Sequence, residues 1–177
     1  MALRKALAYS KRRARPYTRK SKRKGKAYIK TVPGSKIAKF NLGNQKDYEQ
    51  GKHKYTIKLI SDEDVQIRDN ALEAGRMLLN KHLEENIPGQ YFMVVKVHPH
   101  HMLRDNKTAA GAGADRLSSG MSHSFGIVIG RAAMVRARQQ IFFVSCTDER
   151  AAHIVKNALI TIKAKVPCRT RIVFEKH

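Results

Sequence analysis

Several residue types are scarce in this chain of 177 residues, and each scarcity excludes a class of protein. Tryptophan is absent, and there are only two cysteines, Cys146 and Cys168. Two cysteines exclude a disulfide framework, so we expect reduced, buried thiols in a cytosolic protein. No apolar run approaches the length that crosses a bilayer, and the N-terminus lacks the apolar stretch of a secretory signal. We therefore expect no membrane partner, with a basic mitochondrial presequence as the remaining alternative for the N-terminus.

Acidic residues are missing from the beginning of the chain. Sixteen Lys and Arg precede Asp47 without a single Asp or Glu, whereas the remainder holds twenty basic and fourteen acidic residues. The formal net charge of +22 repels itself unless a polyanion neutralises it. Nucleic acid is therefore the leading partner, and no homo-oligomer is expected.

The uneven charge predicts two parts, a basic arm over residues 1–35 and one domain over residues 36–177. The arm has few large apolar residues and strong self-repulsion, so it should order only on phosphates. Tyr9, Tyr17 and Tyr28 lie among the cations and suit base or sugar stacking, although an unspecific tail or a nuclear-localisation run would have a similar composition. The arm residues that we assign to RNA binding are Arg12, Arg13, Arg15, Tyr17, Arg19, Lys20, Lys22, Arg23, Lys24 and Lys26.

Apolar periodicity in the domain indicates alternating strands and helices. Strands are predicted over residues 36–42, 55–60, 91–97, 133–137, 141–146 and 169–174, and helices over residues 70–86 and from Thr147 to Pro167. Asn70 with Glu73 forms a capping box for the first helix, and Thr147 caps the second. The strands at 133–137 and 141–146 should pair through a short turn. The predicted class is α+β, with two β-α-β passes that place both helices on one mixed sheet.

A long loop over about residues 99–126 interrupts this pattern. Unstructured connections longer than about 12–15 residues are usually functional or disordered. Its centre, GAGADRLSSG from Gly111 to Gly120, contains small residues and has no Gly-Lys-Ser/Thr end for a phosphate loop. A dinucleotide fingerprint fails as well, because Arg116 stands where a third glycine is needed. Composition leaves a binding loop and a solvated linker both open.

The run His98-Pro99-His100-His101 suggests a metal or catalytic cluster at first sight. No Asp, Glu or Cys follows at ligand spacing, and no paired carboxylate or Ser/His/Asp order frames a substrate pocket. We therefore expect no metal, no cofactor and no catalytic residue. His98 and His101 are interpreted as hydrogen-bond donors to RNA phosphates.

Four motifs in a fixed order resemble a known family. They are Val32-Pro33-x-x-Lys36-Ile37-x-x-Phe40-x-Leu42-Gly43, Asn70-Ala71-Leu72-Glu73-Ala74-x-Arg76, His98-Pro99-x-His101-x-x-Arg104-x-Asn106-Lys107, and Ala112-Gly113-Ala114-Asp115-Arg116-Leu117-x-x-Gly120-Met121-x-x-x-Phe125-Gly126. Together they resemble the universal large-subunit ribosomal proteins that join bacterial member sixteen to its archaeal and eukaryotic counterparts, and they look like the archaeal branch. Family members often carry Lys-Pro after the Phe-Gly motif, whereas Ile127-Val128 follow here, so no phosphate contact is assigned there.

The resemblance implies a non-catalytic cytoplasmic component of the large subunit with an α/β-hammerhead fold. Its partners would be large-subunit rRNA below the central protuberance, the nearby 5S rRNA, tRNA and neighbouring large-subunit proteins. The loop matching residues 101–117 would point toward the peptidyl transferase centre and the tRNA sites. The loop residues assigned to this role are Arg104, Asn106, Lys107, Gly111, Ala112, Gly113, Asp115 and Arg116. An RNA-modifying enzyme and a free architectural nucleic-acid binder are the alternative functions.

Overall fold

Eight strands and four helices form the part of the chain that the computed structural model describes, residues 32–109, 111–118 and 120–177. The strands are β1 (Asn41–Gly43), β2 (Tyr55–Ser61), β3 (Val65–Arg68), β4 (Tyr91–Val95), β5 (His101–Asp105), β6 (Ile127–Val135), β7 (Gln140–Cys146) and β8 (Thr170–Lys176). The helices are α1 (Gln45–Glu49), α2 (Asp69–Asn86), α3 (Ala114–Leu117) and α4 (Glu149–Ile162), and a 3-10 turn (Lys163–Lys165) follows α4. The predicted α+β class is confirmed.

The strands are divided between two antiparallel sheets instead of one mixed sheet. The larger sheet has the order β1-β4-β7-β2-β8, and the smaller has the order β3-β6-β5. The predicted pairing of the strands at 133–137 and 141–146 is therefore wrong, because β6 and β7 belong to different sheets. The connecting turn carries the chain across, and the Arg138 amide donates to the Ser61 carbonyl at the end of β2.

The main core lies between the larger sheet and helices α2 and α4. The apolar face predicted for α4 is buried, including Val155 and Leu159. Gly75 of α2 faces Phe142 and Ile162, whose nearest atoms would lie 3.1 and 3.4 Å from an added Cβ. Because position 75 has no side chain, α2 can lie close to both β7 and α4.

Both predicted helix caps are wrong. Arg68 is the N-cap of α2, and the Asn70 side-chain oxygen is buried without a hydrogen bond. Asp69 instead accepts from the Asn70 amide at 2.8 Å, which satisfies one of the free donors of the first turn. Asp148, not Thr147, is the N-cap of α4, and its side chain makes no capping hydrogen bond.

The first predicted strand is short, since only β1 at its end pairs with β4. The preceding residues are held by carboxylates of α2: Asp69 accepts from the Lys36 amide at 3.3 Å and Glu73 from the Ala38 amide at 3.4 Å. Ile37 between them is buried. The segment before β1 is therefore tied to a helix and does not form the predicted strand.

The predicted loop over residues 99–126 contains regular structure, namely β5 and the single turn α3. The segment between the paired strands is therefore residues 106–126, of which Ala110 and Ser119 lie outside the description. No helix in the described ranges is long and apolar enough to span a membrane.

Candidate nucleic-acid interface

The segment from residue 106 to residue 126, called the β5–β6 loop below, leaves and re-enters the smaller sheet through a closed base. Asp105 pairs with Ile127 at the ends of β5 and β6. Gly126 has a φ of +85°, and a Cβ there would lie 2.6 Å from the Asp105 carbonyl carbon and 2.8 Å from the Asn106 nitrogen. Only glycine fits this close approach of two backbones, so the two ends of the loop are fixed.

The centre of the loop folds through short-range hydrogen bonds. Gly111 and Gly113 have φ angles of +115° and +77°, and their carbonyls accept from the Ala114 and Arg116 amides at 3.1 Å each. The Ala109 amide donates to the Ser118 hydroxyl at 3.0 Å. No atom of the described residues lies within 4 Å of a Cβ placed on either glycine. A polymer could therefore approach this backbone without meeting a side chain.

The cations of the loop face solvent. Lys107 and Arg116 are exposed, and neither forms an ion pair with any residue that the structure describes. Arg104 is half-buried on β5, and the exposed Asp115 lies in the first turn of α3. The Asn106 side-chain oxygen is buried with no hydrogen-bond partner in the described part. The predicted loop residues thus occupy one connected segment, and its outer cations are available to phosphates.

Large apolar side chains on this segment are exposed as well, and our reading of the sequence did not assign them to a site. Leu117, Met121 and Phe125 are 73, 77 and 85% exposed, and Ile127 at the start of β6 is 49% exposed. Exposed apolar groups close together mark interaction surfaces. The sequence does contain a signal for this exposure: these large apolar residues lie in a glycine-rich segment and follow neither strand nor helix periodicity.

Two of the three clustered histidines form a ring stack on the surface. The rings of Phe40 and His98 lie 5.0 Å apart at 17°, and the rings of His98 and His100 lie 4.1 Å apart. Partial burial, the neighbouring His100 and Arg131 lower the pKa of His98, which favours its neutral form. A neutral imidazole keeps one N–H, so His98 can still donate to a phosphate.

His101 points the other way, into the smaller sheet. It is 6% exposed, and its Nδ1 lies 2.7 Å from the Gln66 side-chain oxygen on β3. Burial lowers its pKa. His101 therefore has a partner inside the protein and little surface open to RNA. We interpret it as a residue that stabilises the smaller sheet and do not include it among the RNA-binding residues.

The root of the basic arm lies beside β6. The Arg131 guanidinium donates to the Pro33 carbonyl at 2.7 Å. The predicted arm residues from Arg12 to Lys26 lie outside the described residues. The arm therefore joins the domain beside β6, the strand that begins at the end of the β5–β6 loop.

The two thiols are unsuited to metal binding or nucleophilic chemistry. Burial, and then the nearby Asp148, raises the pKa of Cys146 to about 12, and burial raises the pKa of Cys168. Within the described ranges, no group of three His, Cys, Asp or Glu side chains could hold a metal ion.

Comparison with known proteins identifies the family. Residues 13–173 match the family model described as ribosomal protein L16p/L10e. Proteins named large ribosomal subunit protein uL16 are similar: that of Staphylothermus marinus is 42% identical over 99% of this chain and 95% of its own length. Those of Methanococcus aeolicus and Haloarcula marismortui are 40% and 43% identical, over 99% and 84% of this chain and 96% and 84% of their own lengths.

A basic α+β domain with an exposed cationic loop, matched along nearly its whole length to ribosomal relatives, defines a structural ribosomal protein. The chain belongs to the ribosomal protein L16p/L10e family. This family is non-enzymatic, so the RNA-modifying enzyme is excluded as an alternative.

Proposed function

We propose that this chain is a structural component of the large ribosomal subunit of an archaeal-type cytoplasmic ribosome and binds large-subunit rRNA. The names of its relatives, large ribosomal subunit protein uL16, support the subunit assignment. The net charge of +22 supports a phosphate-rich partner, because so much charge of one sign is relieved by a polyanion.

The RNA-facing surface in this proposal has three parts that meet at the smaller sheet. The arm supplies the residues from Arg12 to Lys26 and leaves the domain at Pro33, beside β6. His98 and the adjacent ring stack form the second part, and the β5–β6 loop forms the third. Lys107 and Arg116 would bind phosphates, which fixes register without reading sequence.

The finer placement rests on the loop. We place the domain on rRNA below the central protuberance, close to the 5S rRNA and to neighbouring large-subunit proteins, with the β5–β6 loop directed toward the peptidyl transferase centre and tRNA. The placement on the subunit follows the family resemblance, and one observation supports the outward role of the loop: a loop closed at Gly126 holds exposed cations and an 85% exposed Phe125 away from the core. A free protein gains nothing from presenting these groups to water, whereas an RNA cavity can cover them.

The test is a double substitution, Lys107→Ala with Arg116→Ala, in cells whose only copy of the protein is the variant. Both side chains are exposed, so the free energy of unfolding should change by less than about 0.5 kcal/mol. Large subunits should nevertheless mature slowly on sucrose gradients, and tRNA should bind more weakly to the subunits that form.

The matched control is Arg150→Ala with Lys156→Ala on the exposed face of α4, which removes the same charge far from the loop in sequence. If control and loop variants support equal subunit levels and equal tRNA binding, the loop assignment is wrong. If the wild-type protein sediments free of large subunits in moderate salt, the ribosomal proposal itself fails.

A further inference from the structure

The turn between β6 and β7, residues Arg136 to Gln139, has an unusual backbone. Arg138 has a φ of +66° and is the one non-glycine residue in the described ranges with a positive φ. Left-handed backbone is unfavourable for a long side chain, and glycine or asparagine would normally occupy such a position. Strain of this kind persists only where the surroundings fix it, and it is concentrated at functional sites.

Hydrogen bonds from three sides hold this turn. The Arg138 amide donates to the Ser61 carbonyl at 2.7 Å, and the Gln139 amide donates to the Arg136 carbonyl at 3.1 Å. The Arg136 amide donates to the Gln139 side-chain oxygen at 2.9 Å, and the Ala137 amide donates to the Asp64 carboxylate at 2.9 Å. The turn is therefore a rigid support for the two arginine side chains that it carries.

The acids of the adjacent β2–β3 connection have other partners. Asp62 accepts from Arg171 at 2.9 Å, Glu63 lies 3.5 Å from Arg169, and Asp64 accepts from the Ala137 amide. Arg136 and Arg138 are exposed and form no ion pair in the described part of the chain. Together with Arg169 and Arg171, four guanidinium groups stand against three carboxylates here, so the turn keeps a net positive charge.

The turn also borders an open recess of about 510 Å³, lined by Met134 and the four turn residues. Its two arginines carry the planar donor groups that match phosphate oxygens. A recess with this charge suits an anion that enters from solvent.

We propose that this turn is a second phosphate-binding site, which holds an rRNA backbone segment separate from the one at the β5–β6 loop. The turn and the loop lie at opposite ends of β6, whose nine residues span about 26 Å. A single phosphate cannot reach both sites. The site rests on the proposed function, since it takes its ligand from the RNA to which the domain binds.

The experiment combines Arg136→Ala with Arg138→Asn in the full-length protein. Asparagine tolerates a left-handed backbone, so the turn is preserved while its charge is removed. Binding to transcribed archaeal large-subunit rRNA is measured over a series of salt concentrations. If both arginines contact phosphates, the slope of log K against log salt should become shallower by about 1.4 to 1.8.

The control Arg150→Ala with Lys156→Ala removes the same charge from the exposed face of α4. Restoring charge with Arg136→Lys and Arg138→Lys should recover most of the slope. A turn variant that keeps its melting temperature and has the same slope as the control overturns this site. A variant that binds rRNA normally but loses binding to polyglutamate also overturns it, in favour of an acidic protein partner.

Failure of the proposed function would look different. In that case the wild-type protein itself would bind large-subunit rRNA no better than an unrelated RNA of equal length at moderate salt.

Discussion

Large apolar residues are buried around the larger sheet and exposed on the β5–β6 loop of the smaller sheet. Around the larger sheet, Phe142 and Leu159 are fully buried between β7 and α4. Beyond the end of the smaller sheet, Phe125 is 85% exposed on the β5–β6 loop. The first region has a complete core of its own, whereas the second presents side chains that require a partner to bury them. The comparison separates residues that make the fold from residues that, in the proposed function, pack against RNA.

The largest expected effect comes from making one chemical change in both regions. Phe142→Ala should lower the free energy of unfolding by about 3–5 kcal/mol, because it removes a fully buried ring and leaves a cavity beside Gly75. Phe125→Ala should change it by less than about 0.5 kcal/mol. Denaturant unfolding of both variants measures the difference.

The order should reverse when binding to large-subunit rRNA, or incorporation into large subunits, is measured at a temperature where both variants are folded. Phe125→Ala should then be the weaker binder, and Phe142→Ala should bind nearly as the wild type. Equal destabilisation by the two substitutions would show that Phe125 packs within the protein and that the contrast between the regions is false.

A smaller effect is expected at the base of the loop. Gly126→Ala introduces a Cβ that would lie 2.6 Å from backbone, at a φ that disfavours alanine, so the loop ends must separate. We expect a loss of about 1–2 kcal/mol, limited by local rearrangement, together with weaker rRNA binding. Urea unfolding and a filter-binding titration report the two effects.

Gly130→Ala is the matched control on β6. Among the described residues, no atom lies within 4 Å of a Cβ at this position, and its φ is outside the left-handed region. The control should be neutral or slightly stabilising, because alanine restricts the unfolded chain more than glycine does. A Gly126 variant that behaves like the control would mean that the loop base is open in solution.

The smallest effect is a pH dependence shared by one histidine in each region. Burial lowers the pKa of His53, opposed by Asp47, and burial lowers the pKa of His101. Each unfolded imidazole binds its proton near pH 6.5, above the pKa of its folded form. Stability should therefore be complete above about pH 6.5 and decrease as the pH falls toward the lowered values.

Urea midpoints between pH 7.5 and 5 test this, with His53→Gln and His101→Gln as separate variants. Each substitution should flatten part of the dependence, because it removes one group that gains a proton on unfolding. A midpoint that rises on acidification would contradict the burial of both rings.

The sequence predicts the buried region better than the loop side. Strands β2, β4 and β7 and helices α2 and α4 were found because they have long apolar patterns. The short β3 and α1 were missed, since four or five residues carry too little periodicity. The pairing of β6 with β7 was wrong because a short connection normally joins neighbours, and nothing local in the chain signals that Arg138 redirects it to another sheet.

The candidate site was predicted unevenly for a similar reason. Charge and the family motifs identified Lys107 and Arg116, which the structure places in solvent on one loop. They could not separate His98 from His101, because the direction of each side chain depends on which sheet face it meets. Exposed Phe125 was missed as well, since apolar residues are assigned to cores unless the tertiary structure is known.

The fixed base of the β5–β6 loop also affects the entropy of assembly. Bringing together the ends of a free segment of roughly 20 residues costs about 2.7 kcal/mol in chain entropy. Gly126 and Asp105 already hold those ends together in the isolated protein. The entropy of closing the loop is therefore lost on folding and not on RNA binding. The glycines and alanines at the centre have no rotamers to lose. The side-chain entropy lost when the loop binds its partner is therefore concentrated in residues at its two ends and in Arg116 and Leu117.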